Sequence, residues 1–214
     1  MESAPSEAFA EALHTQDEDR RWELVRHLHR HGGREALELA TRWAAHPDPA
    51  HRCLAADVLA QLGVAPGRPA AGSPFRQESL AVLLSMVRAE TDPDVLYAIT
   101  VGFGHIGDER AVEPLIRLHR HPDADVRHGV AFGLLGRPEP AALDTLITLS
   151  ADEDAEVRDW ATFGLARQTD ADFPRLRDAL AARLDDEDPD TRAEAVHGLA
   201  ARGDERVTRQ EDSA

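Results

Sequence analysis

Apolar residues recur along this chain with a helical period, and the same polar phrase punctuates them six times: an Asp, three residues, then usually an Arg. The Asp residues are Asp17, Asp48, Asp92, Asp123, Asp154 and Asp188, spaced 31, 44, 31, 31 and 34 residues apart. The column four residues later holds Arg21, Arg52, Leu96, Arg127, Arg158 and Arg192. With that column as zero, the apolar positions are −1, +3, +4, +7 and +10. At about 100° per residue these gather on one side of a helix. Position +7 holds Leu28, Leu59, Phe103, Leu134, Leu165 and Leu199, which are expected to be core. A second amphipathic segment precedes each Asp, as in Leu143, Leu146, Ile147 and Leu149. Each unit therefore predicts helix, turn, helix. First helices are expected near 5–15, 33–45, 75–89, 109–120, 139–150 and 172–184, and second helices near 18–31, 49–62, 93–106, 124–135, 155–167 and 189–201.

The punctuation has a physical basis. Asp at a helix N-cap accepts hydrogen bonds from the free N–H groups of the first turn. Pro49, Pro93 and Pro189 follow directly, where a missing N–H costs nothing and the fixed φ is already helical. The long 44-residue spacing has its own cause in the Gly- and Pro-rich stretch 64–74, which predicts a loop insertion. One repeat array over 1–207 is expected, followed by a polar tail, 208–214, that lacks the packing pattern. The Arg column is expected to pair with acidic side chains of its own or the next repeat, because repeats contact mainly their neighbours. Gly102, Gly133, Gly164 and Gly198 share position +6. Glycine within a helix costs about 1 kcal/mol against alanine, so the column needs a compensating gain, either close helix approach or room for a bound backbone.

The run Gly107-Asp108-Glu109-Arg110-Ala111-Val112-Glu113-Pro114-Leu115-Ile116 resembles the inter-repeat phrase of bacterial HEAT-like repeats of the phycobilisome-lyase type. The Asp-x-Asp-Val-Arg start at Asp123–Arg127 fits it too. The resemblance implies an all-α fold, an α-α superhelix or HEAT-type solenoid of about six helix pairs, with second helices lining a concave surface. It also carries an alternative function, a lyase-like factor acting on a protein-bound cofactor such as a bilin. Deoxyhypusine hydroxylase is a HEAT-type enzyme that holds two irons through His-Glu pairs, and Val126-Arg127-His128-Gly129 is similar to one such site. Here Gly129 stands in place of Glu, His197 is followed by Gly198, and the chain has no His-Glu dipeptide, so those ligands do not carry over.

Composition narrows the chemistry. Ala, Leu and Arg dominate, with Asp and Glu next, and aromatic content is 5%, which suits helices. The basic set of 24 residues is all Arg; without Lys there is no lysine Schiff base. Against 40 acidic residues the net charge is −16, which repels nucleic acid. The single Cys53 allows no internal disulfide, and the acidic N-terminal stretch lacks a basic-then-apolar leader, so a cytoplasmic location is expected. Neither a membrane span nor a cofactor is expected, and the chain is expected to be monomeric.

The remaining positions of the second helices, +1, +2, +5 and +9, form the expected binding face. In the first repeats it reads Trp22, Glu23, Arg26 and Arg30, then Cys53, Leu54, Asp57 and Gln61. In the central repeats it holds Tyr97, Ala98, Val101 and His105, then His128, Gly129 and Phe132, then Asp159, Trp160, Phe163 and Arg167. Large aromatics on a solvated face with Arg nearby are the composition of an interaction hot spot. Tyr97, Val101, His105, His128, Phe132, Asp159, Trp160, Phe163 and Arg167 are therefore the candidate contacts for a protein or peptide. Acidic turns at Asp152–Asp154 and Asp185–Asp188 would favour a basic one. Among other candidates, His27 and His31 have helical metal-ligand spacing without a third ligand nearby. His46 and His121, in matching places at the ends of first helices and each before a Pro, suggest capping there. Cys53, beside Arg52 and His51, has neighbours that could lower a thiol pKa, although a plain small residue is the simpler reading.

Overall fold

The computed structural model describes residues 4–64 and 72–207. Most of the predicted insertion at 64–74 and all of the tail 208–214 lie outside the described residues. Twelve α-helices are present among the described residues: α1 Pro5–His14, α2 Glu18–His31, α3 Gly33–Trp43, α4 Pro49–Gln61, α5 Arg76–Met86, α6 Pro93–Ile106, α7 Val112–Leu118, α8 Ala124–Gly133, α9 Pro140–Leu149, α10 Ala155–Arg167, α11 Pro174–Ala181 and α12 Pro189–Ala201. They are the six expected pairs, with a 3₁₀ turn, Glu109–Ala111, leading into α7.

All six phrase Asp residues are N-caps. Asp17, Asp48, Asp92, Asp123, Asp154 and Asp188 each accept from one or two N–H groups of the following first turn. Such a cap contributes about 1 kcal/mol of helix stability.

The chain divides into two units, Met1–Pro114 and Leu115–Ala214. In the first, α2 packs on α4 and α4 on α6, while α1, α3 and α5 pair with the second helices of their own repeats. The +3, +4 and +7 residues fill the space between, with Val25, Leu28, Ala55, Leu59, Ile99 and Phe103 buried beside Phe9, Leu80 and Leu83 of the first helices. In the second, α8, α10 and α12 stack side by side, with α9 and α11 packed against α10 and α12. Its core takes Val126, Val130, Leu134, Val157, Leu165 and Leu199 from the second helices, and Leu146, Leu176 and Leu180 from the first.

The Arg column forms a ladder. Nε and Nη2 of Arg127 donate to Asp152, both at 2.8 Å, while its Nη1 donates to the carbonyls of His121 and Pro122. Arg158 repeats the arrangement on Asp186 and on the carbonyls of Asp152 and Glu153. Arg52 does so on Glu90 and on the carbonyls of His46 and Pro47. Each receiving carboxylate stands two residues before the next cap and also accepts that cap residue's own N–H. One guanidinium fork thus ties a turn to its neighbour, a geometry Lys could not reproduce. Arg192 keeps the carbonyl half on Asp186 and Glu187. Arg21 departs and reaches Asp57 on α4 at 2.5 Å, and Leu96 is buried.

At the pre-cap position occupied elsewhere by Glu90, Asp152 and Asp186 stand His46 and His121. Their Nδ1 atoms accept from the N–H groups of Asp48 and Asp123 at 3.1 and 3.2 Å. They support the turn into the second helix in this way, and not the ends of the first helices where capping is expected. Within the acidic turns the ladder takes up Asp152 and Asp186, held by Arg127 and Arg158, while Glu153 and Glu187 stay exposed.

The glycine column permits close helix approach. A Cβ at Gly198 would meet Ala166 Cα at 2.9 Å and Leu180 Cδ1 at 2.9 Å. At Gly164 it would meet Leu135 at 3.0 Å and Leu146 at 3.2 Å, and at Gly102 Leu83 Cδ1 at 3.2 Å. The predicted solvated face is narrower than expected: Leu54, Ala98 and Gly129 at position +2 are buried. A second helix flanked by neighbours and backed by its own partner exposes only a strip, so a half-and-half helical wheel overstates the wet side. Position +10 errs the other way, since His31 and Gln168 are exposed.

Candidate partner-binding face

In the C-terminal unit the candidate aromatics converge. Trp160 on α10 sits edge-to-face with His128 and Phe132 of α8, at centroid distances of 5.6 and 5.5 Å, and with Phe163 of its own helix at 5.8 Å. Interplanar angles of 70–76° place ring edges against ring faces, the arrangement favoured by the aromatic quadrupole. All four side chains are half-buried. The expectation of open, solvated Trp160 and Phe163 is corrected accordingly: position +1 of one second helix packs on position +2 of the next, and the rings cover one another. They form an ordered apolar step that keeps part of its surface in water.

Beside this step lies a carboxylate group of the opposite character. Asp159 and Trp160 are adjacent on α10. By the same register, Asp159 at +1 lies toward Glu194 at +2 of α12. Oδ1 of Asp159 is buried and accepts no hydrogen bond from the protein. Burial first, and then the charges of Asp188, Glu194 and Asp190, push its pKa up to about 6. Arg167, exposed near the end of α10, donates to Glu194 at 2.5 Å and leaves Asp159 without a cation. Sequence reading placed Asp159 and Arg167 on this face. It missed the +9-to-+2 pairing of Arg167 with Glu194 and the contribution of Asp190, both of which follow from stacking successive repeats in register.

Tyr97, Val101 and His105 lie in the N-terminal unit, on α6, each half-buried. Burial lowers the pKa of His105. Buried His29 is also held below its usual range, chiefly by burial, and its Nε2 lies 2.8 Å from the carbonyl oxygen of Asp57. Cys53 borders a pocket of about 410 Å³ together with Arg21, Asp48, Asp92 and Asp94. Its thiol is pushed up to about 12 by burial and by Asp57, which speaks against activation by its sequence neighbours and agrees with the simpler reading of an unreactive small residue. Arg52 is turned away to Glu90, so the positive charge is elsewhere. A separate groove of about 630 Å³ runs between α3 and α5, lined by small residues such as Ala45, Ala81 and Ala89. Trp22 is 38% exposed, with the Arg21 guanidinium 5.3 Å from its ring centre. The rings of His27 and His31 lie 5.0 Å apart. Among the described residues no three His, Cys, Asp or Glu side chains are grouped to hold a metal, and no helix is long and apolar enough to cross a membrane.

The sequence matches HEAT repeats over residues 80–166 and 143–210, together more than half of the chain. The chain belongs to the HEAT-repeat family. The α-α superhelix and its stacked helix pairs follow from that membership. Among solved structures, this HEAT-repeat chain is similar to Escherichia coli YibA, with a TM-score of 0.78 and 23% identity, over 95% of this chain and 72% of that one. A designed armadillo repeat protein gives a TM-score of 0.62 at 13% identity, over 93% and 99% of the two chains. A chain in the Pds5–Scc1 complex gives 0.57 at 14%, over 96% of this chain and 38% of that one. At these identities the likeness is one of fold. No curated protein matches the chain.

Proposed function

We propose that this HEAT-repeat chain is a non-catalytic protein- or peptide-binding scaffold that holds its partner on the second-helix face of the C-terminal unit. One observation carries the reading: His128, Phe132, Trp160 and Phe163 converge from α8 and α10 into one apolar step that stays partly exposed. The repeat skeleton is complete without them, since caps, ladder and leucine columns already account for stacking. Aromatic side chains beyond what the skeleton uses, set beside charged groups, are the composition of a hot spot. A regular stack of helices is also a rigid platform on which such a patch keeps its geometry.

The test is affinity capture from the native cell with wild type, the Trp160→Ala/Phe163→Ala pair, and Trp22→Ala as an aromatic truncation in the other unit. Partners retained by wild type and Trp22→Ala and lost from the double variant support the reading, provided circular dichroism shows the double variant folded. The same partners recovered with all three chains would refute it.

A further inference from the structure

The carboxylate side of the step goes further than the aromatic side. Four carboxyl groups, Asp159, Asp188, Asp190 and Glu194, lie close enough for the last three to disfavour charge on the first. Arg167, the guanidinium beside them, is already engaged by Glu194, and Arg158 is committed to Asp186 and Glu187. The Asp159 carboxylate is half-buried, with Oδ1 closed off and without a donor and Oδ2 left as the oxygen a cation can reach, and a carboxylate so placed is satisfied by a charge-assisted hydrogen bond from a cation. A metal ion does not suit the place, because a hard cation needs several oxygens converging on one point and no such group of three is found among the described residues. An organic cation needs one good acceptor, and it gains from an aromatic face beside it.

We propose, resting on the scaffold reading above, that the partner is a basic protein segment that presents an Arg or Lys side chain to α10, with Asp159 accepting the cation and Trp160 and Phe163 receiving the apolar stem. Charge complementarity selects this occupant over an acidic or neutral one. The cation neutralises repulsion that the free protein bears, so its binding relieves a local cost as well as making a contact. The long stem of Arg or Lys matches an aromatic step beside a carboxylate, since such side chains lay their methylenes on apolar surface and keep the charged head polar.

The experiment is selection of random display peptides on the purified full chain at neutral pH, followed by equilibrium binding of the selected peptides to variants. Wild type is expected to enrich peptides containing Arg or Lys. Asp159→Asn, which keeps shape and removes charge, should weaken them by about tenfold or more, while Glu156→Gln, an exposed carboxylate on the same helix, should change binding by less than about twofold. Selected peptides without basic residues, or basic peptides that bind Asp159→Asn as tightly as wild type, overturn the cation proposal and leave the scaffold standing. Failure to enrich any peptide overturns both.

Discussion

Arg158→Ala tests whether the Arg column is architecture. The Arg158 side chain is 7% exposed and its partner Asp186 4%. Truncation removes both forks to Asp186 and the donors to the carbonyls of Asp152 and Glu153. What remains around Asp186 is the Asp188 N–H at 3.1 Å and Arg183 at 3.2 Å. Breaking a buried pair costs about 3–5 kcal/mol, and the surviving partners place this loss near the lower end, about 3 kcal/mol. For a unit of this size that is a fall in Tm on the order of 10–20 °C. The control is Arg175→Ala, whose pair with Asp144 is exposed on both sides and contributes at most about 0.5 kcal/mol. Thermal and urea unfolding, followed by far-UV circular dichroism and by Trp160 fluorescence in a Trp22→Phe/Trp43→Phe background, reads the C-terminal unit. Acid supplies a second reading. Burial works to raise the pKa of Asp186, but Arg158 and the Asp188 N–H outweigh it and hold the group below the usual carboxylate range. Its contribution is therefore present above the unfolded value near about 4 and lost as pH falls through the folded one. Arg158→Ala should shrink that acid-dependent loss. A destabilisation no larger than that of Arg175→Ala would refute the assignment of the column.

Three further outcomes follow from other features. Gly198→Ala gains about 1 kcal/mol of helix propensity but forces a methyl against the Ala166 backbone, and overpacking of about 1–3 kcal/mol makes the net effect destabilising. Gly102→Ala, which meets the movable end of Leu83 at 3.2 Å and Ala60 at ordinary contact distances of 3.5 and 3.7 Å, should be neutral or stabilising in the same unfolding assay. Asp159 has a folded pKa raised to about 6, so the folded state binds its proton more tightly and the group destabilises increasingly as pH rises from about 4 to 7. Asp159→Asn should flatten that slope and raise stability at neutral pH, measured as Tm against pH. Cys53, with its thiol pushed up to about 12, should react slowly with a disulfide reagent at pH 8 in the native chain and at the ordinary rate once unfolded.

The skeleton was legible because repetition averages out local ambiguity. An Asp that recurs before six helices can only be a cap, and all six are. The Arg column was readable as pairing, although its target, a carboxylate two residues before the next cap, appears only when successive repeats are laid in register. The face was legible in composition and misjudged in exposure. A helical wheel treats α10 as a lone cylinder, whereas α8 and α12 flank it and cover part of Trp160 and Asp159. The charges that surround Cys53 were hidden for a related reason. Arg52 is its neighbour along the chain, but helical geometry sends that guanidinium to Glu90 and brings Asp57 and Asp94 near the thiol.

Site-specific photo-cross-linking tests the central claim most directly. A benzoylphenylalanine placed at position 163 reports on the second-helix face, and one at Thr148, exposed on α9, reports on the first-helix layer. The account predicts a partner cross-linked through position 163, lost with Trp160→Ala, and none through position 148. A partner captured through position 148 and not through 163 would contradict it.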